Sequence, residues 1–90
     1  MRLEREIPII NKRGLHARAS AKFVQTVENF DAEIQVSKDG MTVGGTSIMG
    51  LMMLAAGPGS SIMVYASGNQ AEEALDTITA LIADKFGEEM

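Results

Sequence analysis

Every stretch of strand-like alternation in this chain has one apolar and one polar face, and that feature narrows the fold more than any other. Ala32, Ile34 and Val36 alternate with Glu33, Gln35 and Ser37, while Ile62, Val64 and Ala66 alternate with Met63 and Tyr65. Between Leu3 and Ile9 the odd positions Leu3, Ile7 and Ile9 are apolar, with Arg5 the exception. Strands buried on both faces read as continuous apolar runs, whereas half-buried strands alternate. The pattern therefore predicts a sheet covered by helices on one side and wetted on the other.

Helical periods fall between these strands and supply the cover. Ala17, Ala21, Val24 and Val27, with Phe23 and Phe30 nearby, fit one helical face over Ala17 to Glu28. Asp39-Gly40 predicts a tight hairpin, with Met41 and Val43 on the return strand and Gly44-Gly45 ending it. Ser47 to Ala55 reads as a short helix with Ser47 as N-cap. The run "AAGPGS" stops it, since Gly57 can cap and Pro58 cannot continue a helix. The clearest stripe is Ala71, Ala74, Leu75, Ile78, Leu81, Ile82 and Phe86, with Asn69 as N-cap and Glu72 at the return position of a capping box. Pro8 cannot donate to a ladder, which sends the first strand to a sheet edge. The order is β-α-β-β-α-β-α, a two-layer α/β plait with a mainly antiparallel sheet.

Ninety residues make one domain, 1–90, with a single modest core. Aromatics are only 4% and methionines number seven, so that core should be aliphatic and plastic. The absence of cysteine removes disulfides, thiolate catalysis and most zinc sites, and it suits a reducing compartment. A net charge of −4 makes nucleic acid and anionic membrane poor partners. The opening "MRLEREIPII" is charged at close intervals and is neither a signal peptide nor a transmembrane segment. A cytoplasmic location is the expectation.

Chemistry concentrates in "NKRGLHARAS", Asn11 to Ser20, which holds the only histidine. His16 falls where a loop becomes a helix. The first N–H groups of a helix lack internal acceptors and lie at the positive end of its dipole, a place that favours an anion. The amides of Ala17 and Arg18 would point toward whatever sits on the imidazole, the Arg18 guanidinium suits phosphate oxygens, and Gly14 lets the chain bend. Positive surroundings should keep the ring neutral and nucleophilic. The site thus reads as an imidazole that accepts a phosphoryl group in a pre-built anion nest. Spacing alone favours the plainer alternative, a surface histidine at a helix start beside an incidental arginine.

Other chemistries fit less well. One histidine without cysteines is poor material for a metal site. Ser20, Ser47 and several acids are available for a Ser-His-Asp arrangement, but no nucleophile elbow accompanies them. No phosphate-loop motif is present, so nucleotide binding is not expected either, and no cofactor is expected. The second notable segment, "SIMGLMMLAA", is apolar all round except at Gly50. A helix in a two-layer fold buries about half its circumference. With Leu51 and Leu54 inward, some of Ile48, Met49, Met52 and Met53 must face solvent, as in a docking surface that fits several partners. Packing of Met49 and Met52 on a neighbouring helix is the plain alternative. Ser47 is either a simple cap or an accessible hydroxyl.

These residues resemble a known family. "GLHARAS" is similar to the active-site stretch of the HPr family of the bacterial phosphoenolpyruvate-dependent phosphotransferase system, and "TSIMGLMML" to its serine-site segment and following helix. "NKRGLHAR" and "NFDAEI" also resemble the nitrogen-related NPr branch. The resemblance covers about residues 5 to 85 and implies an open-faced β-sandwich, a four-stranded antiparallel sheet of order 1-4-2-3 under three helices.

It further implies a monomeric phosphocarrier, more shuttle than turnover enzyme. His16 would take a phosphoryl group on Nδ1 from phosphorylated enzyme I and pass it to IIA-type proteins, for sugar transport or for nitrogen signalling. Arg18 would be the phosphate-binding arginine. Ser47 would be the position that an HPr kinase phosphorylates in some members. Ile48, Met49, Met52 and Met53, with Ala17, Arg18 and Ala21, would form the shared docking face. The family usually has proline after the arginine; Ala19 stands there in this chain. Alanine keeps the helix and adds one amide donor near the site.

Overall fold

The structure, a computed structural model, describes residues 2–88. Its elements are β1 (Arg2–Pro8), α1 (Ala17–Val27), β2 (Glu33–Lys38), β3 (Met41–Gly44), α2 (Ile48–Met53), β4 (Ser61–Ser67) and α3 (Ala71–Ala83), followed by a 3₁₀ turn at Lys85–Gly87. One sheet of order β1-β4-β2-β3 holds the strands, all pairs antiparallel. This is the expected four-stranded sheet with three helices.

Register explains the alternation. Ile7 lies opposite Ile62, while Val64 lies between Arg5 on one neighbour and Val36 on the other. Ala66 likewise joins Leu3 to Ile34, so the apolar positions share one face. That face packs on Phe23, Leu51, Leu75, Ile78 and Ile82 from the helices, all buried. Arg5, the exception in the first strand's pattern, reaches Asp76 Oδ1 (3.0 Å) and Thr79 Oγ1 (2.9 Å) on α3. The opposite face is polar or half-exposed, and the Arg2 guanidinium lies 4.4 Å from the Tyr65 ring centroid. Pro8 is accommodated at the edge strand, and pairing resumes beyond it where Ile9 N–H donates to Ser60 O (2.8 Å). Asp39 and Gly40 both have positive φ, 51° and 84°, the backbone of a two-residue type I′ hairpin.

Three local expectations are corrected. Gln70, not Asn69, occupies the N-cap of α3, and no side chain caps it, so the box with Glu72 does not form. Asn69 Nδ2 instead donates to Asp31 Oδ2 (2.9 Å), and Gln70 Oε1 accepts from Asp31 N–H (2.7 Å). Both side chains are recruited to tie down the turn before β2. Helix α2 ends at Leu54, with Ala55 rather than Gly57 in the left-handed region (φ 52°). The early turn lays Ala56 beside the loop before α1, where its carbonyl accepts from Leu15 N–H (2.9 Å). Phe86 is buried as its stripe requires, but it lies past α3 in a turn where Lys85 and Phe86 have φ of 55° and 56°. Two consecutive left-handed non-glycine residues are costly. Burial of the Phe86 ring and a bond from Lys22 Nζ to Phe86 O (2.6 Å) offset that cost.

Candidate functional site

The loop that delivers the histidine is built from its own backbone. Asn11 is fully buried, its carbonyl accepts from Gly14 N–H (3.1 Å) and its Nδ2 donates to Gly14 O (2.9 Å). Gly14 is left-handed (φ +63°), and a β-carbon there would stand 2.2 Å from Ala56 O. Only glycine allows this approach. Leu15 then plugs into the core, and the chain reaches His16 in extended conformation (φ −77°, ψ −177°) as the N-cap of α1.

An N-cap accepts a hydrogen bond from the first turn of its helix, and here the acceptor is the imidazole itself. Arg18 N–H donates to His16 Nδ1 (3.3 Å), so the Nδ1 lone pair points at the open amides of α1. The first ladder bond of the helix runs from Ser20 N–H to His16 O (2.9 Å), leaving the amides of Ala17, Arg18 and Ala19 ahead of it. Ala17 and Arg18 are exposed, and the Arg18 guanidinium makes no salt bridge with any described residue. Ala19 is buried, so its methyl group fills core space behind the site.

The other ring nitrogen was not anticipated. His16 Nε2 is bonded to the carboxylate of Glu88. The surroundings of the ring are therefore not simply positive, which corrects the electrostatic expectation. The physical reason is the left-handed turn at Lys85 and Phe86, which returns a distant segment to α1. The bonding pattern nevertheless gives the nucleophilic form: Nε2 carries the proton toward a carboxylate and Nδ1 carries the lone pair. Partial burial raises the Glu88 carboxyl. Hydrogen bonds from Asn11 and His16, the attraction of the His16 ring whenever it is protonated, and the charge of Arg13 outweigh that and hold it below the usual carboxylate range.

The second segment lies next to the first. Helix α2 packs on α1, and Ala56, two residues past Leu54, is the acceptor for Leu15. Leu51 and Leu54 are buried, while Ile48, Met49, Met52 and Met53 are 40, 70, 40 and 63% exposed. Met49 and Met52 thus face solvent and are not absorbed by a neighbouring helix. Ala17, at the start of α1, is also exposed, and Ala21 is half-buried. Ser47 is exposed and caps α2, its Oγ accepting from Gly50 N–H (3.0 Å). It stands at the opposite end of α2 from the tie to the His16 loop, a helix of six residues or about 9 Å away. Asn11 and Glu88 are the site residues that the sequence reading missed. Asn11 reads as an ordinary turn residue, and nothing in "KFGEEM" marks a partner 72 positions from His16.

Among the described residues, no helix is long and apolar enough to cross a membrane. A family model described as the PTS HPr component phosphorylation site matches residues 3–84. The phosphocarrier protein HPr of Cupriavidus necator is 51% identical over 86 residues, 96% of this chain and 97% of that protein. The phosphocarrier protein NPr of Shewanella violacea is 42% identical over 87 residues, 97% of this chain and 96% of its own. The crystal structure of HPr-C-His from Thermoanaerobacter tengcongensis superposes with a TM-score of 0.92 at 45% identity, covering 98% of this chain and 99% of that one. Matches of this length span the histidine loop, the methionine-rich helix and α3, and they establish that the chain belongs to the HPr phosphocarrier family of the phosphotransferase system.

Proposed function

We infer that this protein is a cytoplasmic, single-domain, monomeric carrier in which His16 accepts a phosphoryl group on Nδ1 from phospho-enzyme I and hands it to IIA-type proteins. The observation that carries this reading is the direction of the Nδ1 lone pair, which aims at the first amides of α1 beside an exposed arginine without a salt bridge to any described residue. A phosphoryl group on Nδ1 would replace the ring nitrogen as acceptor for Arg18 N–H, and the guanidinium can fold onto its oxygens. The family name of the relatives supports the same activity.

Transfer needs little covalent machinery from the carrier. In-line displacement depends on positioning the phosphorus and stabilising spread charge, and the partners complete the site. The exposed side chains Ile48, Met49, Met52 and Met53, with Ala17 and Ala21, offer an adaptable apolar face beside the histidine for partner docking. Incubation with enzyme I and phosphoenolpyruvate should add one acid-labile phosphoryl group, which IIA-type acceptors then remove. His16→Ala should abolish labelling. A wild-type chain left unmodified by an active cognate enzyme I contradicts the reading.

A second reading rests on Ser47. Its hydroxyl is exposed at the edge of the docking face, where a phosphate would add about two negative charges beside Ile48 and Met49. In that reading the α2 face is a regulatory binding module, a kinase acting on Ser47 is the switch, and His16 is incidental. Partner binding would then survive His16→Ala and be lost in Met49→Asp or Ser47→Asp.

A further inference from the structure

Glu88 meets the histidine from the far end of the described chain. Its Oε2 is bonded to His16 Nε2, and its Oε1 accepts from Asn11 Nδ2 (2.8 Å). The same Asn11 amide nitrogen donates to Gly14 O (2.9 Å), so one buried side chain joins the carboxylate to the loop that carries the ring. Asn11 Oδ1 is buried without a partner among the described residues. Leaving a buried acceptor unpaired is unfavourable, so the two bonds from Nδ2 are what this side chain contributes. The approach of Glu88 is also held from behind. Lys85 and Phe86 adopt left-handed conformations, the Phe86 ring is fully buried, and Lys22 Nζ grips Phe86 O (2.6 Å). The side chains of His16 and Glu88 are each only 15% exposed. The contact is a built one.

We propose that Glu88 is a positioning residue that occupies Nε2 of His16 and thereby directs phosphoryl addition to Nδ1. The proposal depends on the carrier reading for its biological donor and not for its chemistry. In the step, the Nδ1 lone pair forms the N–P bond. The bond from phosphorus to the donor atom breaks, and its electron pair leaves with the donor. The ring keeps its Nε2 proton and gains one positive charge, which the Glu88 carboxylate faces directly. This is the orienting and charge-stabilising role that a carboxylate plays behind a histidine in hydrolytic triads, used here behind a nucleophile. Addition at Nε2 would instead displace Glu88 and leave the phosphoryl group away from the amides of α1.

Phosphoramidate, which phosphorylates imidazole nitrogens without an enzyme, separates these outcomes. The full chain is treated as wild type, Glu88→Ala and Glu88→Gln, and the modified nitrogen is read by phosphorus and nitrogen NMR. Wild type should carry the group on Nδ1. Glu88→Ala should distribute it over both nitrogens. Glu88→Gln retains an oxygen that can accept from Nε2, so it should stay on Nδ1 yet react about tenfold more slowly as a charged hydrogen bond becomes neutral. A purely structural Glu88 would change melting and leave the modified nitrogen unaltered. Nδ1-only product at the wild-type rate in both variants, or Nε2 product in the wild type, would overturn the proposal. If these results hold while phospho-enzyme I fails to label the wild type, the carrier reading falls and the Glu88 assignment stands.

Discussion

The starts of α1 and α2 do the same local job by different means. Each is capped by a side chain, His16 Nδ1 accepting from Arg18 N–H and Ser47 Oγ from Gly50 N–H. Ser47 is exposed and finishes its cap within four residues of sequence. His16 is half-buried, sits behind a loop that packs against Ala56, and is held on its other nitrogen by Glu88. A helix cap alone needs only local chemistry. A cap engaged on both ring nitrogens, by Arg18 N–H and by Glu88, goes beyond what a helix end needs and fits the phosphoryl-accepting role proposed above.

The largest effect on that contrast should come from Gly14→Ala. A β-carbon at a left-handed position 2.2 Å from Ala56 O forces the histidine loop off the turn after α2. We expect a loss of about 3 kcal/mol in denaturant unfolding, with amide shifts concentrated at residues 11–18 and 54–57 and little change at Gly50. Arg18→Ala comes next and acts on chemistry only. Its exposed side chain should cost under about 0.5 kcal/mol in stability, while phosphoryl acceptance in a rapid-quench assay falls on the order of tenfold to a hundredfold. Equal rates for Arg18→Ala and wild type would remove the guanidinium from the site.

Ser47→Ala should show the converse. Loss of the cap costs about 1 kcal/mol by thermal unfolding, yet acceptance at His16 is unchanged. The smallest effect concerns pH. Glu88 is held below its ordinary range in the folded chain, so its contribution to docking the 85–88 segment is fully present above the unfolded carboxylate value. That contribution disappears as pH falls through the lower folded value. The protection of the Lys85 to Glu88 amides, measured against their intrinsic exchange rates at each pH, should therefore fall on acidification before that of the sheet does, and Glu88→Gln should abolish the difference.

The same contrast explains what could be read from the sequence. Alternation at Ile34/Val36 and Ile62/Val64, the Asp39-Gly40 hairpin, Ser47 as cap and His16 at a helix start are all set by neighbours in sequence, and they were legible. Ala55 turning before Gly57, Gln70 displacing Asn69, and Phe86 leaving α3 answer contacts made across the fold, to Leu15, Asp31 and Lys22. No local propensity favours a left-handed alanine or phenylalanine. Glu88 was hidden for the same reason, since its meaning depends entirely on where that turn delivers it.

The account rests on a phosphoryl group at Nδ1 being held by the first amides of α1. A proton–nitrogen correlation spectrum of the ¹⁵N-labelled protein, recorded during phosphorylation by enzyme I and phosphoenolpyruvate, tests this most directly. The amides of Ala17 and Arg18 should move furthest downfield, that of Gly50 should stay in place, and all should return when a IIA-type acceptor is added. A phosphorylated chain whose Ala17 and Arg18 resonances do not move, or whose largest shift is at Gly50, would contradict it.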